Sequence, residues 1–175
     1  MRDRVPGMFR QPDSTTCGSA VLVRARMLAD PDYDRWLCAD DDPGQRFADE
    51  AQRTHRRTNR MLDSNARPQL PWPRALGTPP WALAHELGPG ASRTTPILHR
   101  DRAWDRIVGT ERPVAVYVGN RFLPRHVVLV VGADAEGAQV FEPASGATVT
   151  VTRDAFLTGS LSLAGWDRPW FLVAG

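Results

Sequence analysis

An α+β fold follows from three features of the sequence. Apolar residues recur at helical spacing in the first half of the chain. From Val114 onward they form short β-type runs separated by turn residues. The two patterns are segregated along the chain and do not alternate, so the strands should pair antiparallel rather than as βαβ units.

The first helix should begin at Cys17, where Ala20, Val21, Leu22, Val23, Ala25, Met27 and Leu28 follow Ser14, Thr15 and Thr16, any of which has the side-chain oxygen of an N-cap. Asp30-Pro31 should end it. After a solvated stretch from Asp40 to Gly44, a second amphipathic helix is expected over Gln45–Asp63, with Phe47, Ala51, Thr54, Thr58, Met61 and Leu62 on one face. The prolines at 68, 71, 73, 79 and 80 predict an extended surface loop over 64–80. A short helix, Pro80–Leu87, should bury Trp81, Leu83, Ala84 and Leu87 and stop at Gly88-Pro89-Gly90. A further helical patch lies around Trp104–Val108. Strands are expected at Val114–Val118, Val127–Val131, Gln139–Phe141, Thr148–Thr152 and Trp170–Val173, with turns at 135–137 and 144–146.

The chain of 175 residues suits a single domain, 1–175, with 40–110 read as a helical and loop insertion region inside it. Hydrophobic residues at 42% and charged residues at 24% are globular values, which exclude a disordered polar tract. No run approaches the ~20 apolar residues of a membrane-spanning helix, and Met1–Pro6 has no apolar signal-peptide core. A cytoplasmic location is therefore expected, with specialised export left open. All 22 basic residues are arginine, yet they are interspersed with 20 acidic ones for a net charge of +2, so nucleic acid is not an expected partner. Two cysteines, Cys17 and Cys38, are too few for a disulfide scaffold and suit a reducing compartment.

Cys17 stands at a predicted helix start, where unpaired N–H groups and the helix dipole favour negative charge on a nearby group. Beside an imidazole, a cysteine so placed becomes an effective nucleophile. Gly18 would let a substrate carbonyl approach the Cys17 N–H, and the Gln11 side-chain amide offers a second, neutral donor for an oxyanion. Read alone, Cys17 is more often a small buried hydrophobe opening a core helix, the commonest fate of a free cysteine. The second half of the chain adds His126 at the entrance of an apolar strand, where it should be exposed at the strand end. It also adds Glu142 on the next strand, 16 residues on. His126 lies 9 residues before Ala135 and Glu142 lies 5 after Gly137, so a bulge or twist is needed to bring them side by side. A carboxylate there would fix the imidazole tautomer and stabilise the imidazolium.

In order and spacing, Gln11, Cys17-Gly18-Ser19-Ala20, His126–Gly132 and Glu142-Pro143 with Gly146 resemble the papain-like cysteine peptidase superfamily. Within it, they resemble the bacterial double-glycine leader peptidase domains that process bacteriocins, and their stand-alone relatives. The resemblance covers about a third of the chain. It implies a papain-like fold, with Cys17 as nucleophile, His126 as base, Glu142 as orienter of the histidine and Gln11 in the oxyanion hole. It further implies a peptide or protein substrate and no cofactor. The family usually has aspartate where Glu142 stands, and the Cys17–His126 gap is long for a leader peptidase.

Other candidates point to structure. His55 falls beside the apolar stripe of the second helix, and the arginines at 46, 53, 56, 57 and 60 read as a solvated face, with an anion patch as the alternative. His85 should stack within its short helix, His99 reads as a strand-end residue, and Cys38 as packing. No histidine or cysteine pair has metal-ligand spacing, and no phosphate loop or dinucleotide fingerprint occurs, so neither a metal nor a nucleotide cofactor is expected. Two functional classes remain: an amide hydrolase, with a deamidase or acyltransferase using the same thioester as its variant, and a catalytically weak or inactive papain-like groove that binds a peptide.

Overall fold

The structure, a computed structural model, describes residues 7–60, 77–87 and 93–174. Its elements run α1 (Cys17–Ala29), α2 (Pro31–Cys38), α3 (Pro43–Thr58), α4 (Pro80–Glu86), β1 (Arg93–Pro96), α5 (Arg100–Val108), β2 (Val114–Gly119), β3 (Pro124–Ala133), β4 (Ala138–Glu142), β5 (Ala147–Val151), α6 (Arg153–Thr158) and β6 (Arg168–Ala174). The six strands form one antiparallel sheet in the order β1-β6-β2-β3-β4-β5. The expected α+β class is what the chain adopts.

Strand position in that order explains the sequence pattern. β2 and β3 are central and covered on both faces, so their apolar runs are nearly continuous: all six residues of β2 are buried, as are His126 to Val130 of β3. β5 lies at an edge and alternates instead, with Thr148 and Thr150 exposed. One face carries α1, α3 and α4 over Ala115, Tyr117, Val127, Leu129, Phe141 and Val173. The other is covered by α5 and α6, whose Trp104, Ile107 and Phe156 pack on the second set of strand residues. The sheet is thus sandwiched between two helical layers. α6 and β1, absent from the sequence reading, are short, and β1 carries Pro96 and is mostly exposed, so neither has an apolar pattern of its own.

Several boundaries shift for identifiable reasons. Asp30-Pro31 ends α1 and at once begins α2, because the Asp30 carboxylate accepts from the Asp32 and Tyr33 N–H groups while Pro31 occupies the first helical position. None of Ser14, Thr15 or Thr16 caps α1 with its side chain. Thr16 is the N-cap residue, but its hydroxyl donates to the Asp13 carbonyl. α3 begins at Pro43, capped by Asp42, and ends at Thr58 rather than reaching Asp63; Met61 and Leu62, like most of the proline-rich 64–80 stretch, lie outside the described residues. In α4, Ala82 is buried with Leu83 and Ala84, while Trp81 is only partly buried. His99 is the exposed N-cap residue of α5, not a strand end.

Within the 40–110 stretch, α3 is built into the core. Phe47 of α3 is fully buried between Phe9, 5.2 Å away ring to ring, and Phe141 of β4, 6.4 Å away. The outer arginines of α3 are paired with carboxylates: Arg46 with Asp40, Arg53 with Glu50 at 2.8 Å and Arg57 with Glu86 at 2.8 Å. That pairing fits a solvated face, and the last pair ties α3 to α4.

Gly18 has a structural duty different from the one its sequence context suggests. A Cβ there would come within 2.7 Å of the Thr78 Cβ, so the bare backbone of α1 admits the segment leading into α4 and does not leave room for a substrate. Alanine at position 18, which helix propensity alone would favour, should therefore destabilise the protein by about 1–3 kcal/mol through overpacking. An unchanged denaturation midpoint for Gly18→Ala would contradict this packing role.

Candidate active site

Cys17 is the first residue of α1 and 4% exposed. The first intrahelical-type bond at this end runs from Ala20 N to the Thr16 carbonyl, so the preceding N–H groups point out of the helix around the thiol. The lead-in is ordered by Asp13, whose carboxylate accepts from the Thr15 N–H at 2.8 Å and hydroxyl at 2.7 Å.

The structure brings Cys17, His126 and Glu142 together. Cys17 and His126 line the same cavity, and interaction with Cys17 is among the causes that raise the His126 pKa. His126 Nε2 lies 2.7 Å from Glu142 Oε1, so Nδ1 is the ring nitrogen left for the thiol. His126 is 5% exposed, not open at a strand end as the sequence suggested, because β3 starts two residues earlier, at Pro124. The bulge that the residue count required is present. β3 and β4 pair Ala133 with Ala138 and Gly132 with Gln139, then shift so that Val130 meets Val140 and Leu129 meets Phe141. Glu142 lies one residue past the last β3–β4 pair, where its long side chain reaches the His126 ring.

Glu142 is held as firmly as it holds. Its Oε1 also accepts from the Ala144 N–H and its Oε2 from the Ser145 N–H, both at 2.8 Å. Burial works against its charge, but the bonds to His126, Ala144 and Ser145 outweigh it and lower its pKa to about 2. Burial likewise opposes the His126 imidazolium, and its interactions with Cys17 and Glu142 overcome it, raising its pKa to about 9. The pair is therefore imidazolium and carboxylate at neutral pH.

Gln11 is placed differently. Its Nε2 donates to the Asp13 carbonyl at 2.8 Å, and its buried Oε1 has no partner among the described residues. It does not line the cavity beside Cys17. Its backbone N–H instead donates to the Pro143 carbonyl at 2.8 Å, while Arg10 Nε donates to the Ala144 carbonyl at 3.0 Å. Residues 9–11 thus strap the turn that carries Glu142. Gly146, at φ +70°, permits this: a Cβ there would come within 3.0 Å of the Phe9 backbone.

Cys17 and His126 open onto a cavity of about 500 Å³ walled by Trp81, Tyr117, Leu123, Val127 and Phe171, with Thr78, Thr94 and the charged Arg125 also lining it. Thr78 is the residue that sequence reasoning missed. Buried to 1% exposure, it shares a hydrogen bond with Ser19 Oγ at 3.0 Å, and its carbonyl accepts from the Tyr117 hydroxyl at 2.8 Å. It therefore joins α1, the approach to α4 and β2 at the edge of the site. Burial, with Cys17 nearby, pushes the Tyr117 phenol well above its ordinary pKa, so it serves as a donor. A phenol inside the apolar run Val114–Val118 was the one signal available, since a buried tyrosine needs a partner for its hydroxyl.

No protein-family model matches the chain, and no curated protein matches it. Among the described residues no helix is long and apolar enough to cross a membrane, and no group of three or more histidine, cysteine, aspartate or glutamate side chains could hold a metal ion.

The two shifted groups fix a pH dependence of stability. His126, raised from 6.5 to about 9, contributes stability that is complete below pH 6.5 and lost as pH rises through about 9. Glu142, lowered from 4.5 to about 2, contributes stability that is complete above pH 4.5 and lost as pH falls through about 2. Both contributions are complete between pH 4.5 and 6.5. Glu142→Gln should remove the acid-side loss and lower the His126 pKa, read from its imidazole proton resonances. An imidazole still titrating near 9 in that variant would rule out the carboxylate as a cause.

Proposed function

We propose that the chain is a papain-like cysteine-dependent amide hydrolase, a peptidase acting on a peptide or protein, with Cys17, His126 and Glu142 as its catalytic and orienting groups. The observation that carries this reading is a buried histidine, bonded through Nε2 to a carboxylate, that shares a cavity with a cysteine at a helix start. A structural cysteine requires no such partner.

In this reading the Cys17 thiolate attacks the carbonyl carbon, forming a C–S bond and an oxyanion near the N–H groups at the start of α1. The imidazolium transfers its Nδ1 proton to the amine nitrogen as the C–N bond breaks. Neutral His126 then takes a proton from water as that water attacks the thioester, restoring the thiolate–imidazolium pair. Throughout, Glu142 holds Nε2 and keeps the ring from turning. The same thioester formed from a glutamine side chain would give deamidation, and an amine in place of water would give acyl transfer. Gln11 would join the oxyanion hole only after releasing the Asp13 carbonyl.

That engagement of Gln11 favours one competing reading, a groove of the same fold that binds a peptide without cutting it. The two readings separate on the thiol. Iodoacetamide should alkylate Cys17 at neutral pH at least about tenfold faster than it alkylates Cys38, and His126→Ala should abolish the difference. Cys17→Ala should remove amidase activity while leaving the fold intact. Activity should also fall as pH rises through about 9, when His126 loses the proton it gives the leaving amine. Cys17 labelling no faster than Cys38, and indifferent to His126, would sink the hydrolase reading.

A further inference from the structure

A second concavity lies beside the first and shares a wall with it. Phe171 of β6 lines the cavity at Cys17 and also a groove of about 390 Å³ whose floor is Ile97, Leu98, Pro169 and Trp170. Leu98, 83% exposed, stands uncovered beside it. Three arginines line the same groove, Arg100, Arg121 and Arg168, and no carboxylate is among its lining residues.

The groove is built rather than incidental. Its upper rim is the turn joining β2 to β3, where the Asn120 side-chain oxygen accepts from the Phe122 and Leu123 N–H groups at 2.8 and 3.0 Å. The Trp170 indole N–H donates to the Asn120 carbonyl at 2.9 Å and locks that turn to β6. The Ile97 N–H donates to the Trp170 carbonyl at 2.8 Å, which fixes the opposite side. Arg100 is held by the Leu157 carbonyl at 2.8 Å, a bond that leaves its charge uncompensated. Arg121 lies over the Phe122 ring at 4.3 Å, and among the described residues Arg168 pairs with Asp167, at 3.9 Å and half exposed. Three guanidinium groups around an apolar floor thus retain most of their positive charge. This contrasts with the arginines of α3, each of the three named above being paired with a carboxylate.

We propose that this groove binds an acidic segment with apolar side chains, belonging to the same peptide or protein whose amide is presented to Cys17. Two features on the molecule select that occupant. Phe171 lines both the groove and the cavity at Cys17, so the two adjoin and an extended chain crossing Phe171 would meet both. The rim charge then asks for carboxylates flanking the apolar residues. The inference rests on the hydrolase or peptide-groove reading of the Cys17 cavity and adds to it the chemical class of the ligand.

The test measures binding apart from chemistry. In Cys17→Ala protein, fluorescence anisotropy would compare a labelled hexapeptide carrying two leucines flanked by aspartates with its twin carrying asparagines. The acidic peptide should bind about tenfold more tightly at low salt. That advantage should largely vanish in Arg121→Gln/Arg168→Gln protein and in about 0.5 M salt. Equal affinity for the twins, or a preference that survives the double substitution, would overturn the proposal. So would capture by anionic phospholipid vesicles through the same arginines without peptide binding. The alkylation rate of Cys17 in the double variant should equal that of the unsubstituted protein, so failure here and failure of the hydrolase reading appear in different measurements.

Discussion

The bond between His126 and Glu142 is the interaction on which the arrangement of the site depends. Both side chains are about 95% buried, and two ionisable groups taken out of water to that degree survive only if each satisfies the other and their remaining valences are filled. Glu142 meets that condition with two backbone N–H groups of its own turn, and His126 shares its cavity with the Cys17 thiol. Each element of the site is thereby tied to a backbone feature. The end of β4 places Glu142, the turn after it supplies its donors, and the start of α1 supplies the thiol.

The helix and the sheet are far apart in sequence, so something must hold them in register to a fraction of an ångström. Two clamps do this from opposite sides. Residues 9–11 bond to the carbonyls of Pro143 and Ala144, which connects the lead-in to Cys17 directly with the turn that holds Glu142. Thr78 bonds to Ser19 and Tyr117 and sits over Gly18, which connects the helix with the central strand β2. Gly146 and Gly18 are the points of closest approach, one in each clamp. A side chain at either would push the helix away from the histidine.

What was legible in the sequence follows from the range of the interactions involved. The central strands could be read because burial on both faces leaves continuous valine runs, and α1 because its break at Asp30-Pro31 is a local signal. Cys17, His126 and Glu142 could be connected because one hairpin brings the last two together and the need for a bulge can be counted from its turn. Thr78 could not be found this way. Its hydroxyl and carbonyl are satisfied by Ser19 and Tyr117, 59 and 39 residues away, and nothing beside it in the chain records those partners. Gly18 was misread for the same reason: a glycine after a cysteine suggests room for a substrate, and the space is taken by a residue 60 positions later. Gln11 was read from its spacing to Cys17, but the carbonyl that its side chain engages belongs to Asp13, a local competitor that spacing does not reveal.

The Gln11 geometry also bears on how such a site would be switched. Its amide is tied to a carbonyl two residues away, and its own oxygen is buried without a partner among the described residues, an arrangement that leaves a desolvation cost uncompensated. The backbone of Gln11 is meanwhile fixed to Pro143, so a reorientation needs only side-chain rotation and leaves the strap in place. A bound carbonyl that develops negative charge would offer the amide a stronger acceptor than the neutral carbonyl of Asp13, and rotation toward it would release the strain at Oε1 as well. In the proposed hydrolase, the backbone bond that straps the Glu142 turn would also anchor this donor, and the charge of the reacting group would be the force that recruits it.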